Sequence, residues 1–270
     1  MITIFILFLI NIILIYLLYS NKSLENYENN QDNNLFIIIS KKVTSNMYNK
    51  YSELPMNNII FISDQKPEIE KKNIYYFENN VCIKAGFFGM HDFIEITSWD
   101  KVFYYLKNHS KKYDYYWIIE DDIYLNKNKI EKNLENYKTN KSDALFFGWH
   151  KEYSKNEKWV HWNLNKENFK KNELSAAITQ IIRISDKFSK ILLEFQNKNK
   201  KFIFHEILFA SLVSKYNLSK EIIKRKDIYI TSLKEKSLLV TKFNNNNKEL
   251  LNYANNNMVI IHPFKQWYNY

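Results

Sequence analysis

Three consecutive carboxylates, Glu120, Asp121 and Asp122, close an apolar, aromatic run that reads YDYYWIIEDDIYL from Tyr113 to Leu125. Tyr115, Tyr116, Trp117, Ile118 and Ile119 show no polar alternation, the pattern of a central strand covered on both faces. The acids then mark its carboxyl end. Alternation along a strand sends Glu120 and Asp122 to one side and Asp121 to the other. Two carboxylates on one side raise each other's pKa unless a cation lies between them. A hard divalent ion such as Mg²⁺ or Mn²⁺ takes oxygen ligands of this kind. A solvated acidic turn after a core strand is the alternative that the motif alone leaves open.

WIIEDDIYL resembles the D-x-D region of metal-dependent GT-A glycosyltransferases, the nucleotide-diphospho-sugar transferases, in a Glu-Asp-Asp variant. The resemblance implies a GT-A-like, Rossmann-like α/β fold with a mostly parallel central sheet flanked by helices. It also implies a Mn²⁺ or Mg²⁺ cofactor, a nucleotide-diphosphate sugar donor and a glycan or protein hydroxyl as acceptor. In such enzymes the last Asp contacts the metal that bridges the donor diphosphate, which here is Asp122. Glu120 departs from the usual first acid, and its role lies between a water-mediated metal contact and a ribose contact. Glu120 and Asp121 together would position the donor, and Asp121 is counted with the catalytic residues.

A second stretch, Met258 to Trp267 (MVIIHPFKQW), reads as a strand that delivers His262, Pro263, Lys265 and Trp267 at its tip. It is similar to the C-terminal region of several metal-dependent GT-A groups, where a histidine completes the metal shell and a lysine contacts the diphosphate. The resemblance thus implies His262 as a metal ligand with Asp122 and Glu120, and Lys265 as the phosphate contact. A neutral imidazole nitrogen suits Mn²⁺, and an ammonium supplies a point charge. A structural His-Pro turn is the alternative.

Between these stretches, FIFHEILFASLVSKY (Phe202 to Tyr216) reads as an apolar helix opened by His205 and Glu206. Phe209 stands where a second histidine would be needed, so this is not the H-E-x-x-H zinc motif. A carboxylate at a helix start near a sheet edge can take a proton from a sugar hydroxyl. The resemblance implies an acceptor-side base in a late segment of inverting members, and Glu206 fills that place. A glutamate stabilising the helix dipole is the plainer reading. Asp64, just past the second strand, either reads a nucleotide base or ribose or serves as a turn carboxylate before Pro67.

Short apolar runs place these groups. Leu35 to Ser40 and Asn58 to Ser63 read as strands, with a helix over Ser45 to Leu54 between them and a third strand over Tyr75 to Ile83. Such alternation indicates a parallel α/β sheet. A helix from Trp99 to Asn108 carries Trp99, Val102, Phe103 and Leu106 on one face, with Ser98 as N-cap. Lys84 and Lys101 lie in segments that could approach a diphosphate, although the simpler expectation is a solvated surface lysine at each. Further on, Lys129 to Thr139 and Asp186 to Gln196 read as helices, and Ala144 to Trp149, Ala176 to Ile184 and Ile228 to Ile230 as strands. His150 to Phe169 reads as a loop-rich acceptor surface, where Trp149, Trp159, His161 and Trp162 either stack on sugars or pack locally.

The chain has 270 residues, 46% hydrophobic and 17% aromatic, enough for one sizeable core. A formal net charge of +10 favours anionic partners. No Lys/Arg-dense block interleaved with aromatics stands out, so nucleic acid is not an expected partner. Cys82 is the only cysteine, which excludes an intramolecular disulfide and a cysteine-based zinc site. Gly86, Gly89 and Gly148 form neither a G-x-G-x-x-G nor a Walker loop. Met1 to Tyr19 is long and apolar enough to cross a bilayer and lacks an A-x-A cleavage pattern. The expected organisation is a transmembrane anchor over 1–20, a polar stem over 21–34 and a GT-A-like catalytic domain over 35–270. The resemblance implies a single-pass type II arrangement with the catalytic part in the ER/Golgi lumen. Asn21, Asn108, Asn140 and Asn217 each begin an N-x-[ST] sequon, compatible with a lumen. Two rivals share the acidic cluster: a metal-dependent phosphotransferase or nuclease, and a non-catalytic membrane-tethered carbohydrate-binding protein.

Overall fold

The computed structural model describes residues 33–87, 97–123, 125, 137, 139–147, 150–154, 160–165, 167–200, 203–223, 229–230 and 261–262, a few of them by backbone alone. A compact unit begins at Asn34. The expected anchor and nearly all of the stem lie outside the described residues, as does most of the expected helix over Lys129 to Thr139. Among the described residues no helix is long and apolar enough to cross a membrane.

The centre is a mixed, mostly parallel seven-stranded sheet. Its strands are β1 (Asn34–Ser40), β2 (Ile59–Ser63), β3 (Ile74–Tyr76), β4 (Tyr115–Glu120), β5 (Ala144–Phe146), β8 (Ile181–Ser185) and β9 (Lys220–Ile222). They lie in the order β3-β2-β1-β4-β8-β5-β9. β1 pairs in parallel with β2 and β4, and β2 with β3. β8 runs antiparallel to both β4 and β5, and β9 is parallel to β5. Two small pairs stand apart: β6 (His150–Glu152) with β7 (Ser175–Ala177), and β10 (Tyr229–Ile230) with β11 (Ile261–His262).

β1 and β4 are buried along almost their whole length, which is why their sequences lack alternation. Even residues of β4, such as Tyr116 and Ile118, join one apolar layer. That layer includes residues of α3 (Thr97–Asn108), α5 (Asp186–Asn199) and α6 (His205–Lys215). Odd residues, Trp117 and Ile119, join the other layer with Met47 and Tyr51 of α1 (Ser45–Ser52). Thr44 caps α1 through Met47 N–H, and Ser185 caps α5 through Phe188 N–H.

Four local expectations change. The third strand ends at Tyr76, and α2 (Asn79–Lys84) follows it, leaving Val81 and Ile83 largely exposed. The apolar alternation of Val81 and Ile83 therefore belongs to the outer side of a short helix that packs on the core through Cys82. Ala176 to Ile184 is two strands in different sheets, β7 and β8, with Thr179 and Gln180 at the break. α3 starts at Thr97, so Ser98 sits inside the helix rather than capping it. The stretch expected to be loop-rich holds β6 and α4 (Val160–Asn165), and Trp162 on α4 is buried to 1% exposure against Tyr153. Trp162 is a core residue, because its ring fills space beside α6 instead of facing solvent. Trp149 and Trp159 lie outside the described residues.

Candidate active site

In an open α/β sheet, ligands bind outside the carboxyl ends of the strands where the strand order reverses. Here that point lies between β1 and β4. The register aligns Ile39 with Glu120 and Ser40 with Ser63, so the ends of β1, β2 and β4 form one rim. Because β8 is antiparallel, its start faces the same rim. Glu120 N–H donates to the Gln180 carbonyl at 2.9 Å, just ahead of β8.

Glu120 follows Ile118 in facing the layer of α3 and α6. Its Oε1 accepts from Trp99 Nε1 at 3.2 Å and lies 3.6 Å from His205 Nε2. His205 stacks on the Trp99 indole, with ring centroids 4.6 Å apart and planes 13° from parallel. Burial pushes the Glu120 carboxyl up to about 8, and the charge of Asp122 adds to the rise, with smaller contributions from Glu206 and Asp121. Asp122, in the turn just after β4, is thus close enough for its charge to act on Glu120.

Glu206 stands in the first turn of α6, next to His205, with Gln180 Nε2 donating to its Oε1 at 3.0 Å. Burial raises its carboxyl to about 7, against the lowering effect of the Gln180 amide. Burial holds the His205 imidazole down at about 3, and His161 lowers it further. The Glu120–His205 contact is therefore one between a neutral ring and a carboxyl group, not an ion pair.

Asp121 turns the other way. Its Oδ2 accepts from Ser40 Oγ at 2.5 Å, and its N–H donates to the Ile39 carbonyl at 2.9 Å. It is buried to 8% exposure and ties the end of β4 to the end of β1. Asp64, one residue past β2, forms a 3.0 Å ion pair with Lys101, whose ammonium also bonds the Asp64 carbonyl. Lys101 is 1% exposed and lies 5.1 Å from the Tyr76 ring centroid. The expectation of a solvated Lys101 is thereby corrected: the ammonium is drawn inward because Asp64 and the Tyr76 face replace its water. Lys84, by contrast, is exposed.

His262 lies on β11 by its backbone, paired with Ile230, and its side chain is outside the described residues, as is Lys265. The structure thus brings Asp122 and Glu206 each into electrostatic reach of Glu120, and keeps Asp121 in a tie between strands. His205, Trp99 and Gln180 belong to the same site and carried little signal in the sequence. Trp99 counted only as an apolar helix position, and Gln180 sat inside an apparently continuous strand.

Among the described residues, no three His, Cys, Asp or Glu side chains form a metal-binding group. Glu120 and Asp122 nevertheless fit a hard divalent cation in kind. Both offer carboxylate oxygens, and the Glu120 carboxyl, raised first by burial and then by the charge of Asp122, would be favoured in its ionised form by a cation beside it. The remaining ligands would come from water, from a bound phosphate or from residues outside those described.

No protein-family model matches the sequence, and no curated protein does. Solved structures are similar to it in fold, in two enzyme groups. One holds glycosyltransferases. The galactosyltransferase LgtC, crystallised with donor and acceptor sugar analogues, is 10% identical with a TM-score of 0.46, over 84% of this chain and 86% of that one. Mouse xyloside xylosyltransferase 1 is 9% identical with a TM-score of 0.41, over 78% of this chain and 92% of that one. The other group holds nucleotidyltransferases. The 2-C-methyl-D-erythritol 4-phosphate cytidylyltransferase of Francisella tularensis is 14% identical with a TM-score of 0.43, over 83% of this chain and 99% of that one. Likenesses this distant leave the function to be read from the side chains.

Proposed function

We propose that this chain is a metal-assisted glycosyltransferase that moves a sugar from a nucleotide diphosphate to a hydroxyl acceptor. The observation that carries the reading is the meeting, at the switch point of the sheet, of a half-buried carboxyl pair and a separate carboxyl group that titrates near neutrality. The pair is Glu120 with Asp122, and the third group is Glu206.

Glu120 and Asp122 would hold Mn²⁺ or Mg²⁺, with His262 as the further ligand that the sequence motif implies. Such an ion, when bound, neutralises charge on a departing diphosphate. Trp99 and the neutral His205 fix the orientation of Glu120, while Ser40 and Asp121 fix the end of β4 from the opposite face. Glu206, held by Gln180, would take the proton from the acceptor hydroxyl; a base poised near neutrality suits that task. Asp64 would contact the nucleoside and Lys265 the phosphates. Residues 1–20 would anchor the chain as a single-pass type II protein, with the acidic rim on the luminal side and a glycan or glycoprotein as acceptor.

Isothermal titration of the full chain with UDP and GDP, with and without Mn²⁺, tests the reading. Metal-dependent nucleotide binding that Asp122→Asn abolishes is the expected result. A protein that binds no nucleotide under either condition, or that cleaves phosphodiesters instead, sinks it.

A further inference from the structure

Gln180 joins the two carboxyl groups of the site. Its backbone carbonyl takes the Glu120 N–H at 2.9 Å, and its side-chain Nε2 gives a hydrogen bond to Glu206 Oε1 at 3.0 Å. The other end of the same amide, Oε1, is shielded from solvent and has no hydrogen-bond partner among the described residues. A buried acceptor left unpaired costs about 1–3 kcal/mol, so its persistence calls for a donor supplied from elsewhere. A second polar group at the site is in the same condition. His205 is 7% exposed, directs Nε2 at Glu120, and leaves Nδ1 without a partner among the described residues.

A ligand that satisfies Gln180 Oε1 must bring a hydrogen-bond donor and must enter beside Glu120 and Glu206. A sugar hydroxyl brings one; a fully ionised diphosphate does not, since it offers acceptors only and would meet carboxylates. We propose that Gln180 is a sugar-positioning residue, whose Oε1 accepts a hydrogen bond from a hydroxyl of the transferred sugar while its Nε2 holds Glu206 toward the acceptor. The proposal rests on the glycosyltransferase reading and deepens it: the amide sets the sugar and the base in register through one rigid group. Positioning of this kind lowers the barrier by fixing the reacting groups before the reaction begins.

The test compares a nucleoside diphosphate with its sugar conjugate, so that the hexose contribution is read by difference. The full chain with Mn²⁺ is titrated with UDP, UDP-glucose, GDP and GDP-mannose, for the wild type, Gln180→Leu and Gln180→Glu. In the wild type, at least one conjugate binds more tightly than its parent diphosphate. Gln180→Leu weakens that conjugate by about tenfold and leaves the parent diphosphate unchanged, as expected for the loss of one hydrogen bond. Gln180→Glu keeps an oxygen at the position and so retains conjugate affinity, but it cannot donate to Glu206 and lowers the transfer rate while KM for the donor stays near the wild-type value. Thermal unfolding of each variant separates these effects from a loss of fold. Equal losses for diphosphate and conjugate, or no loss in Gln180→Leu, overturn the role of Gln180 and leave the transferase reading standing. A wild-type chain that binds none of the four compounds overturns both.

Discussion

Trp99 Nε1 donates to Glu120 Oε1 at 3.2 Å, so the helix that precedes the acidic strand in sequence grips the carboxylate at the strand's end. The bond favours the charged form of Glu120, against burial and the neighbouring acids. Replacing Trp99 by Phe keeps most of the packing against His205 and Phe209 and removes the donor. Glu120 should then hold its proton to higher pH. Mn²⁺-dependent nucleotide binding should weaken roughly tenfold, the effect of one hydrogen bond to a charged group. Calorimetry at neutral pH checks this, and unchanged affinity would detach Glu120 from the metal.

Stability should depend on pH in a way that Glu120 and Glu206 dictate. Glu120 and Glu206 have folded pKa values of about 8 and about 7, above the ordinary 4.5 of an unfolded glutamate. The folded state therefore binds more protons than the unfolded one between about 4.5 and 8, and these two groups lose stability as pH rises through that window. His205, lowered from 6.5 to about 3, acts in the opposite sense and costs stability as pH falls below 6.5. Between pH 6.5 and 8 only the carboxyl effect operates among the three. The melting temperature of the metal-free protein should fall over that interval, and Mn²⁺ should reduce the fall. A melting temperature that rises from pH 6.5 to 8 contradicts the assignment.

Glu206 should control the rate of transfer. With a carboxyl near 7, the basic form grows in as pH rises through neutrality, so the rate should climb with pH to a plateau. Glu206→Gln removes the base and should lower kcat by about 10²–10⁴-fold, with nucleotide binding kept. The same substitution removes a buried titrating group, so the alkaline loss of stability should shrink. Transfer that survives in Glu206→Gln would return Glu206 to its plainer role at the start of α6.

Lys101 should matter for stability more than for charge. Its ammonium is enclosed between Asp64 and Tyr76, and the buried Asp100 carboxyl beside it is already raised well above its ordinary value by burial and by Asp64. Lys101→Met strips Asp64 of its cation. Breaking such a pair costs about 3 kcal/mol, the low end for buried pairs because Asp64 keeps some exposure. Denaturant unfolding measures it; a change under about 0.5 kcal/mol, the size of an ordinary surface substitution, would return Lys101 to the surface.

Much of the fold was legible because the core strands announce themselves. LFIIIS and YYWIIE have no polar alternation, and both prove to be adjacent central strands of one sheet. The helix over 97–108 was legible for the same reason, since Trp99, Val102, Phe103 and Leu106 repeat at helical spacing. Where apolar runs continued past a change of partner, periodicity misled. AAITQIIRI looks like one strand, yet β7 pairs with β6 and β8 joins the main sheet, because Thr179 and Gln180 turn the chain between them. Trp162 was equally ambiguous as an aromatic residue, and only its enclosure by the core decides its role.

The sequence by itself determined that a buried strand runs out into three acids, and that the neighbouring acids Glu120 and Asp121 diverge. Both follow from local rules, the pleat of a strand and the cost of hydrating apolar side chains. Only the tertiary structure decided which of those acids meet other groups: Asp121 goes to Ser40, and Glu120 goes to Trp99, His205 and, through Gln180, toward Glu206. Those partners are separated along the chain by tens of residues, and the pKa of a carboxyl group depends on all the charge and solvent around it. No local pattern encodes that sum. It exists once an antiparallel strand and a late helix have been folded against the same rim.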